Sequence, residues 1–442
     1  MNPYSRAVSA CILASLCACG SANPIDPPAT RLATTPIQHV VFIVQENRSF
    51  NNLFMGFPNA TTATYGYDTS GDKIPLVAEP LSTYWDIDHS SIAFWSACDG
   101  TGKIPGTHCK MDGWNEERVG FRGPTNAPYA FVPKGQVKPY WDMAGQYVLG
   151  DRTFSSNLDA SFVAHQYIVA AYASRAVDFP STYWGCEGGK LDGLQTLNPD
   201  RSYGPHIPAC FDNPTIASEA DAAGVTWRFY ADPLDKDDGI WSSYQADRRI
   251  FHSPDWKNDV VNPPARFLKD VAAGNLANMT WITPTDETSD HPGLNADLGP
   301  AWVASVVDAI GASRFWKSTT IFVFWDDWGG MFDPVKPVYE DYDGLGFRVP
   351  LIMVSPYAKR GYVTHVQYET ASVLRYMEDT FDLAPLAAAD ARANDPASDA
   401  FDYGQTPRAF KRIGGAKPTA FWIHLENSPG SGSGSGSRIG SD

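Results

Sequence analysis

Two apolar runs, each followed at once by acidic side chains, constrain the fold of this 442-residue chain more than any other feature. The segment 37–44, IQHVVFIV, precedes Glu46, and the segment 320–325, TIFVFW, precedes Asp326 and Asp327. A short, nearly continuous apolar run is typical of a strand that is buried on both faces, as in a parallel sheet. The pattern therefore predicts central strands whose carboxyl ends carry acidic residues.

Further predicted strands and helices alternate along the chain. The strands are expected at 225–230, 279–283 and 349–354, and the helices near Ser49 and at 162–173, 302–310 and 368–381. Strands separated by helices indicate the α/β class, with a mostly parallel central sheet and helices on both faces. Segments 55–145 and 180–250 are rich in Gly, Pro and aromatic residues, so we expect them to be insertions that cap a site.

The polar residues that follow these strands predict a metal site. Asn47 comes after Glu46, while Asp286, Asp290 and His291 come after the strand expected at 279–283. Ligands of open α/β sheets bind beyond the carboxyl ends of the strands, so three acidic clusters at that edge would surround one divalent cation. A single cluster would equally fit a helix cap or a solvated loop. Ca²⁺, Mg²⁺, Mn²⁺ and Zn²⁺ all stay open, although an all-oxygen ligand set disfavours Zn²⁺.

The N-terminus predicts export. Residues 1–18 are typical of a signal peptide, with Arg6 as the positive charge and the apolar segment 7–18 after it. Segment 16–19, LCAC, resembles a bacterial lipobox, in which Cys19 would be lipidated and attach the protein to a membrane. Ordinary signal cleavage near the same place is the alternative. Either reading predicts an exported protein, as a cell-envelope lipoprotein or as a secreted or periplasmic protein.

Four of the seven cysteines remain once the signal peptide and Cys19 are set aside. An even number of cysteines in an exported protein predicts two disulfides. Among the three connectivities we expect the local pairs Cys98–Cys109 and Cys186–Cys210. A metal site made of all four cysteines is the alternative, which the wide spacings without C-x-x-C disfavour.

Composition limits the remaining classes. Residues 19–35 are predicted to be a tether, and residues 428–442 a flexible Gly/Ser tail, which leaves a single domain over 36–427. A content of 43% hydrophobic and 19% charged residues is globular. The formal net charge of −16 argues against a nucleic acid partner, since phosphate backbones need a basic surface. No stretch after the signal approaches the ~20 apolar residues that a membrane span needs.

The segment HVVFIVQENRSFNNLF (39–54) is similar to the signature of the bacterial phosphoesterase family, which holds acid phosphatases and phospholipases C. The resemblance covers most of residues 37–380 in the right order, through DHSSIAFWSACDGTGKIPGTHCKMDGW, SNLDASFVAHQY, WITPTDETSDHPG, WVASVVDAIGASRFW, FWDDWGGMFDPV and GYVTHVQYETASVLRYME. It implies an alkaline-phosphatase-like α/β core and a metal-dependent hydrolysis of phosphate esters.

The resemblance also implies roles for individual residues. Ser161 matches the nucleophile, and the implied metal ligands are Glu46, Asn47, Asp326, Asp327 and Ser161. The implied catalytic residues are Ser161, His89, His252, His291 and Asp290. Asn47 is also expected to bind substrate, and so is His165, which lies four residues after Ser161 on the same helical face. A bound cation would lower the pKa of the Ser161 hydroxyl, and a phosphoserine would then be hydrolysed by water.

The chain departs from the family pattern at several positions. Asp159 and Ala160 stand where Gly and Pro are common, Asn51 replaces an Asp, and Pro334 replaces a His. None of these changes removes an expected metal ligand, but they leave the substrate open, and choline-phospholipid specificity is not carried over.

The leading prediction is an exported, metal-dependent phosphomonoesterase that resembles acid phosphatases and acts on phosphate esters through Ser161. A phospholipase C that cleaves phospholipid head groups is the alternative within the same chemistry. The acidic net charge would repel anionic bilayers, which favours soluble or zwitterionic substrates, whereas a lipid anchor would favour membrane substrates. A surface lipoprotein that only binds ligands is a third hypothesis, and phosphoryl transfer to an acceptor other than water also stays open.

Overall fold

The computed structural model describes residues 35–428, apart from residues 121, 159, 181–184, 188–192 and 235–240. The expected signal peptide, nearly all of the expected tether and tail, and Cys19 lie outside the described residues, as does Asp159. These expectations and the domain limits 36–427 stay predictions. Within the described part, no helix combines the length and the apolar character that crossing a membrane requires.

A central sheet of eight strands organises the described residues. The strands are β1 (His39–Gln45), β2 (Val148–Gly150), β3 (Trp227–Tyr230), β4 (Val260–Val261), β5 (Met279–Ile282), β6 (Thr319–Trp325), β7 (Leu351–Val354) and β8 (Tyr362–Thr364). Their order across the sheet is β4-β3-β5-β1-β6-β7-β2-β8. Only β7 is antiparallel to its neighbours among the described pairings. The predicted mostly parallel α/β sheet is confirmed.

Strands β1 and β6 lie side by side at the centre of the sheet. Every residue of β6 is buried, and so is all of β1 except its first residue. The register runs from His39 opposite Thr319 to Gln45 opposite Trp325, so both strands end at the same level. The acidic residues that follow each strand therefore leave the sheet next to each other, as the sequence predicts.

Helices cover both faces of the sheet. They are α1 (Phe50–Phe54), α2 (Ser91–Cys98), α3 (Lys138–Gln146), α4 (Ser161–Ala170), α5 (Ile216–Ala223), α6 (Arg248–Phe251), α7 (Pro254–Asn258), α8 (Arg266–Ala272), α9 (Gly299–Gly311), α10 (Thr370–Phe381), α11 (Ala388–Arg392) and α12 (Thr419–Glu426). On β6, the Phe322 ring contacts Tyr376 of α10, and the Trp325 ring contacts Tyr140 of α3. Residues 322 and 325 are an odd number apart, so they point to opposite faces.

Small sheets and short strands lie outside the central sheet. They pair Tyr65–Tyr67 with Lys73–Pro75, Val77–Ala78 with Ala130–Phe131, Thr153–Phe154 with Tyr368–Glu369, and Gly193–Thr196 with both Ala176–Val177 and Ile207–Pro208. Most of these strands fall in the two segments expected to be insertions. Helix α3 also falls in the first of these segments, but it packs on β2 and β7 and so belongs to the core.

Several predicted boundaries move by a few residues. The helix expected at 162–173 ends at Ala170, because Ala171 has left-handed backbone with φ 50°. The helix expected at 368–381 begins at Thr370, because the two residues before it pair as a strand. The two expected disulfides, Cys98–Cys109 and Cys186–Cys210, are both present.

Candidate active site

Ser161 is the first residue of helix α4, directly after Ala160 in extended backbone. All ten residues of α4 are buried, and Ser161 itself is 7% exposed. The free backbone N–H groups and the positive dipole end of a helix N-terminus favour negative charge beside its first residue. The nucleophile expected from the sequence therefore lies where a phosphate would be stabilised by the backbone.

Three polar side chains converge on the Ser161 hydroxyl. Its Oγ lies 3.3 Å from Glu46 Oε2, 3.3 Å from Asn47 Oδ1 and 3.5 Å from Asp327 Oδ2. Glu46 and Asn47 follow β1, and Asp327 follows β6, so the register of these two strands accounts for the meeting. The structure thus brings together the residues that the sequence placed at separate strand ends.

Asn47 has left-handed backbone with φ 55°, which turns the chain sharply after β1. Its backbone N–H donates to Asp326 Oδ1 at 3.0 Å, and one end of its amide lies 2.7 Å from His89 Nε2. The other end lies 3.0 Å from Glu46 Oε2 and 3.3 Å from Asp326 Oδ1. An amide nitrogen at that end would donate to both carboxylates, whereas an amide oxygen there would need a cation between them.

The carboxylates of Glu46, Asp326 and Asp327 are completely buried. Burial, followed by the charge of Asp326, raises the pKa of Glu46 and of Asp327 well above the usual range. Asp326 Oδ2 has no hydrogen-bond partner among the described residues. Buried carboxylates of this kind are normally paired or bound to a metal, so the residues present fit a divalent cation.

His165 lies beside these carboxylates, although the sequence predicted a substrate-binding role for it. Its Nε2 is 2.9 Å from Glu46 Oε1 and 3.9 Å from Asp326 Oδ2, and its Nδ1 is 2.9 Å from the carbonyl oxygen of Trp241. Burial lowers the pKa of His165. Single ligand atoms from Glu46, His165 and Asp326 lie within 4.8 Å of one another, which is close enough to hold one ion.

His89 and His291 form a half-buried pair of rings whose centroids are 6.0 Å apart. Burial lowers the pKa of His89, but the carboxylates of Asp327 and Asp86 outweigh it and raise the pKa to about 9. Burial lowers the pKa of His291, whose ring stacks on Trp241 at 6.1 Å. The pKa of His89 is thus raised and that of His291 lowered, because nearby carboxylates outweigh burial at His89 and do not at His291.

Asp290, which the resemblance implied as catalytic, is held in the protein interior. Its Oδ2 accepts hydrogen bonds from Tyr140 Oη at 2.9 Å and from Trp325 Nε1 at 3.0 Å. Arg48 Nε donates to its backbone oxygen at 2.7 Å, and burial raises the pKa of its carboxyl to about 6. These contacts support a role in holding the loop that carries His291.

His252 is exposed at the end of α6, where its ring contacts Phe251. The structure gives it no contact with the other predicted site residues within the described ranges. Its predicted catalytic role stays a prediction, and it has no part in the arrangement around Ser161.

Four residues around the site were not predicted from the sequence, namely Arg48, Asp86, Tyr140 and Trp241. The charge of Asp86 raises the pKa of both His89 and His291. Its position three residues before His89 is the sequence feature that could have indicated this role. Arg48 lies inside the QENRSF motif, where it could have been noticed. Trp241 contributes its backbone carbonyl, which no side-chain pattern reveals.

The chain belongs to the Phosphoesterase family, whose model matches residues 37–384. This confirms the resemblance seen in the sequence. Two similar proteins are the non-hemolytic phospholipase C of Pseudomonas aeruginosa and phospholipase C B of Mycobacterium tuberculosis H37Rv. The first is 25% identical over 78% of this chain and 54% of its own length, and the second is 24% identical over 78% and 74%. The chain thus spans about half the length of the first of these relatives.

A solved structure described as a protein in the alkaline phosphatase superfamily, from Vibrio parahaemolyticus, is also similar to this chain. It has a TM-score of 0.37 and 8% identity, and the match covers 83% of this chain and 73% of that one. The α/β assignment itself rests on the strand order of the central sheet.

Proposed function

We propose that this protein hydrolyses phosphate esters in two steps at Ser161. One observation carries the proposal: the Ser161 hydroxyl begins a buried helix and lies within 3.5 Å of Glu46, Asn47 and Asp327. In the first step Ser161 Oγ forms a bond to phosphorus while the bond to the leaving oxygen breaks. In the second step water attacks phosphorus, the Oγ–phosphorus bond breaks, and free phosphate and the serine hydroxyl are restored.

A divalent metal fits this arrangement. Its ligands would be Glu46, Asn47, Asp326, Asp327 and Ser161. Oxygens of Glu46, Asn47 and Asp327 lie within 3.5 Å of the Ser161 hydroxyl. When bound, such an ion lowers the pKa of a hydroxyl and polarises a phosphoryl group. The buried Asp326 Oδ2, which has no hydrogen-bond partner among the described residues, supports the fit.

The other residues stabilise charge and transfer protons. The N–H groups at the start of α4 donate to the non-bridging phosphate oxygens, which gain charge in the reaction. His89, held by Ile87 and Asn47, places a positive ring beside the same oxygens.

The Ser161 proton passes to the Glu46 or Asp327 carboxylate beside Oγ in the first step and returns to Oγ in the second, while the leaving oxygen takes a proton from solvent. His291, whose Nδ1 bonds to the Pro292 carbonyl oxygen, accepts a proton at Nε2 from the attacking water and releases it to solvent.

Within this chemistry we propose a phosphate monoester as substrate. A monoester has three non-bridging oxygens. The N–H groups of the helix N-terminus and the His89 ring would each stabilise one of them, and a cation held by the metal ligands would stabilise the third. Phospholipase C activity is the second candidate, because the similar proteins from P. aeruginosa and M. tuberculosis carry that name. Tyr84 and Ile92, near His89 in the sequence, are 77% and 50% exposed and would suit contact with lipid.

The proposal includes export. The two disulfides, Cys98–Cys109 and Cys186–Cys210, are stable in an oxidising compartment and rare in the cytosol. Membrane attachment through Cys19 stays part of this proposal, since that residue is not described.

Turnover of p-nitrophenyl phosphate and of its phosphorylcholine ester, with and without a chelator, tests the function. We expect the monoester to be hydrolysed, chelation to stop the reaction, and Ser161→Ala to remove both turnover and the acid-stable phosphoserine trapped by quenching. Ser355→Ala is the matched control, because Ser355 is a buried serine that bonds to Thr319 at the opposite end of β6. Turnover of the phosphorylcholine ester alone would favour phospholipase C. Activity that survives Ser161→Ala would refute the nucleophile.

A further inference from the structure

Two loops carry the histidine pair of the candidate site. The His89 loop comprises residues 81–89, and the His291 loop comprises residues 290–295. The two rings meet where the loops face each other, with centroids 6.0 Å apart. Neither loop belongs to a helix or to a strand, so contacts between the loops and with their neighbours must fix the two rings.

Thr83 fastens the two loops to each other. It is 2% exposed, and its Oγ1 accepts a hydrogen bond from the Gly293 N–H at 3.2 Å. The same hydroxyl donates to the Trp85 carbonyl oxygen at 2.9 Å, and the Thr83 carbonyl oxygen accepts from the Asn295 N–H at 2.9 Å. A Cβ atom on Gly293 would lie 3.2 Å from Asp86 Cβ, so the loops are in close contact along this stretch.

Arg48 fastens the same two loops from the turn after β1. Its buried guanidinium donates from Nη2 to the Leu81 carbonyl oxygen and from Nε to the Asp290 carbonyl oxygen, both at 2.7 Å. Leu81 is the first residue of the His89 loop, and Asp290 is the first residue of the His291 loop. Because the guanidinium is planar and rigid, these two bonds set the distance between the starts of the loops.

We propose that Thr83 and Arg48 are positioning residues, which hold His291 in place for the second step of the reaction. His291 lies between two fastened points of its loop, namely Asp290, which is bonded to Arg48, and Gly293, which is bonded to Thr83. The inference rests on the proposed function, in which His291 takes a proton from the attacking water.

His89 depends less on these two residues, because it has anchors of its own. Its Nδ1 lies 2.7 Å from the Ile87 carbonyl oxygen, and its Nε2 lies 2.7 Å from the Asn47 amide. Loosening the contact between the loops should therefore move His291 more than His89. The first step, which uses the charge of His89, should be affected less than the second.

The ring of His291 moves with its loop. Its Nδ1 bonds to the carbonyl oxygen of Pro292 in the same loop, so Nε2 is the ring atom that accepts a proton. The Trp241 ring stacks on it at 6.1 Å, which fixes the plane of the ring but not its position along that plane. In the second step the water oxygen bonds to phosphorus, a water proton passes to Nε2, and the Oγ–phosphorus bond breaks as Oγ regains its proton. A displacement of about 1 Å can slow such a step by up to about a hundredfold.

The rates of the two steps, measured separately, test the inference. Acid quenching of the reaction with radiolabelled p-nitrophenyl phosphate follows the formation of phosphoserine, and a chase with unlabelled substrate follows its decay. Thr83→Val keeps the shape of the side chain and removes the hydroxyl. We expect this change to slow the decay by at least about tenfold and the formation by less than about threefold.

Two variants frame this result. Thr83→Ser keeps the hydroxyl and should restore the decay rate. Thr319→Val is the matched control, because the buried Thr319 hydroxyl bonds to the Phe315 carbonyl oxygen at the start of β6, away from the strand ends that carry the site. Both rates should stay unchanged in this control.

Arg48→Lys should also slow the decay more than the formation, because a single ammonium group cannot reproduce the two fixed bonds of the guanidinium. Arg201→Lys is the matched control. Arg201 is another buried arginine that donates to backbone carbonyl oxygens, among them those of Tyr342 and Pro105, and it has no bond to either histidine loop in the described structure. The ratio of the two rates should stay unchanged in Arg201→Lys.

Amide hydrogen exchange of the His291 loop provides a readout that needs no activity, and exchange is expected to be faster in Thr83→Val than in Thr319→Val. An unchanged decay rate in Thr83→Val would overturn the inference. Equal slowing of both steps would also overturn it, because that result indicates a general loss of structure. Failure of the proposed function has a different signature, since the unmodified protein would then form no phosphoserine.

Discussion

Gly329 lies so close to Asn47 that a Cβ atom added to it would be 2.1 Å from the Asn47 carbonyl oxygen. Both residues have left-handed backbone, with φ 60° at Gly329 and φ 55° at Asn47. The turn after β6 therefore packs directly on the turn after β1. This contact holds the Asn47 amide beside Ser161, so the arrangement around Ser161 depends on a position where no side chain fits.

Gly329→Ala is expected to disturb the site through this contact. The new methyl group must displace the backbone of Asn47, which should cost about 1–3 kcal/mol in the free energy of unfolding and weaken metal binding at least tenfold. Urea denaturation and metal titration measure the two effects. Gly71→Ala is the matched control, because Gly71 has φ 82° but no atoms within 4 Å of the added Cβ. Equal metal affinity in both variants would contradict the prediction.

Removing the guanidinium of Arg348 should destabilise the protein strongly. Arg348 and Asp333 are both completely buried, and the Arg348 Nε and Nη2 atoms donate to the Asp333 carboxylate at 2.9 and 3.0 Å. Arg348→Met leaves that carboxylate buried without its partner, which typically costs about 3–5 kcal/mol. Chemical denaturation provides the measurement.

Arg248→Met is the matched control for this pair. Arg248 bonds to Asp212 at 3.1 Å, but both side chains are largely exposed, and such pairs contribute about 1 kcal/mol or less. If Arg348→Met lowers the free energy of unfolding no more than Arg248→Met does, the buried pair is not needed for stability.

Reduction of the disulfides should lower the melting temperature. The bonds Cys98–Cys109 and Cys186–Cys210 close loops with sequence separations of 11 and 24, and each is expected to contribute about 3 kcal/mol. Thermal unfolding with and without reductant measures the effect, and alkylation followed by mass spectrometry counts the thiols. The two double Cys→Ala variants separate the contributions. A free thiol at any of these four cysteines in the unfolded, unreduced protein would contradict the pairing.

Asp343 should make stability depend on pH. Burial raises the pKa of its carboxyl from 3.8 to about 7, and the Tyr167 hydroxyl of α4 donates to it. Between about pH 4 and pH 7 the folded protein holds a proton that the unfolded chain releases. The free energy of unfolding therefore falls as pH rises through this window, by up to about 1 kcal/mol per pH unit.

Asp343→Asn removes this titration. The free energy of unfolding of the variant, relative to that of the unmodified protein, should therefore increase from pH 4 to pH 7. Denaturation curves across that range provide the test. Asp402→Asn changes an exposed carboxylate, so its free energy of unfolding should depend on pH in the same way as that of the unmodified protein. A constant difference between Asp343→Asn and the unmodified protein would show that Asp343 is ionised in the folded state throughout.

The central sheet was predictable where strands are long and apolar. Strands β1 and β6 have seven residues each, and their buried runs and the acids beyond them marked both the fold and the edge that carries the site. Strands β2 and β8 have three residues each and were missed, because so short a run has no recognisable period.

The candidate site was predictable where residues follow strands or belong to the QENRSF motif. The contacts of His165 were not, because its ring is oriented by the backbone carbonyl of Trp241, 76 residues further along the chain. A backbone acceptor leaves no trace in the sequence. His252, in a loosely similar segment, lies exposed, and its expected catalytic role stays a prediction.

Helix α4 has consequences for how this protein can acquire new substrates. Its ten residues are all buried, so almost any change along it disturbs the interior as well as the nucleophile. Selection for a different ester would therefore be restricted to the surrounding chain, above all to exposed residues that precede or follow His89 in the sequence, such as Tyr84 and Ile92. A mutant library confined to those positions should diversify specificity at little cost to stability, whereas a library in α4 should yield mostly unfolded protein.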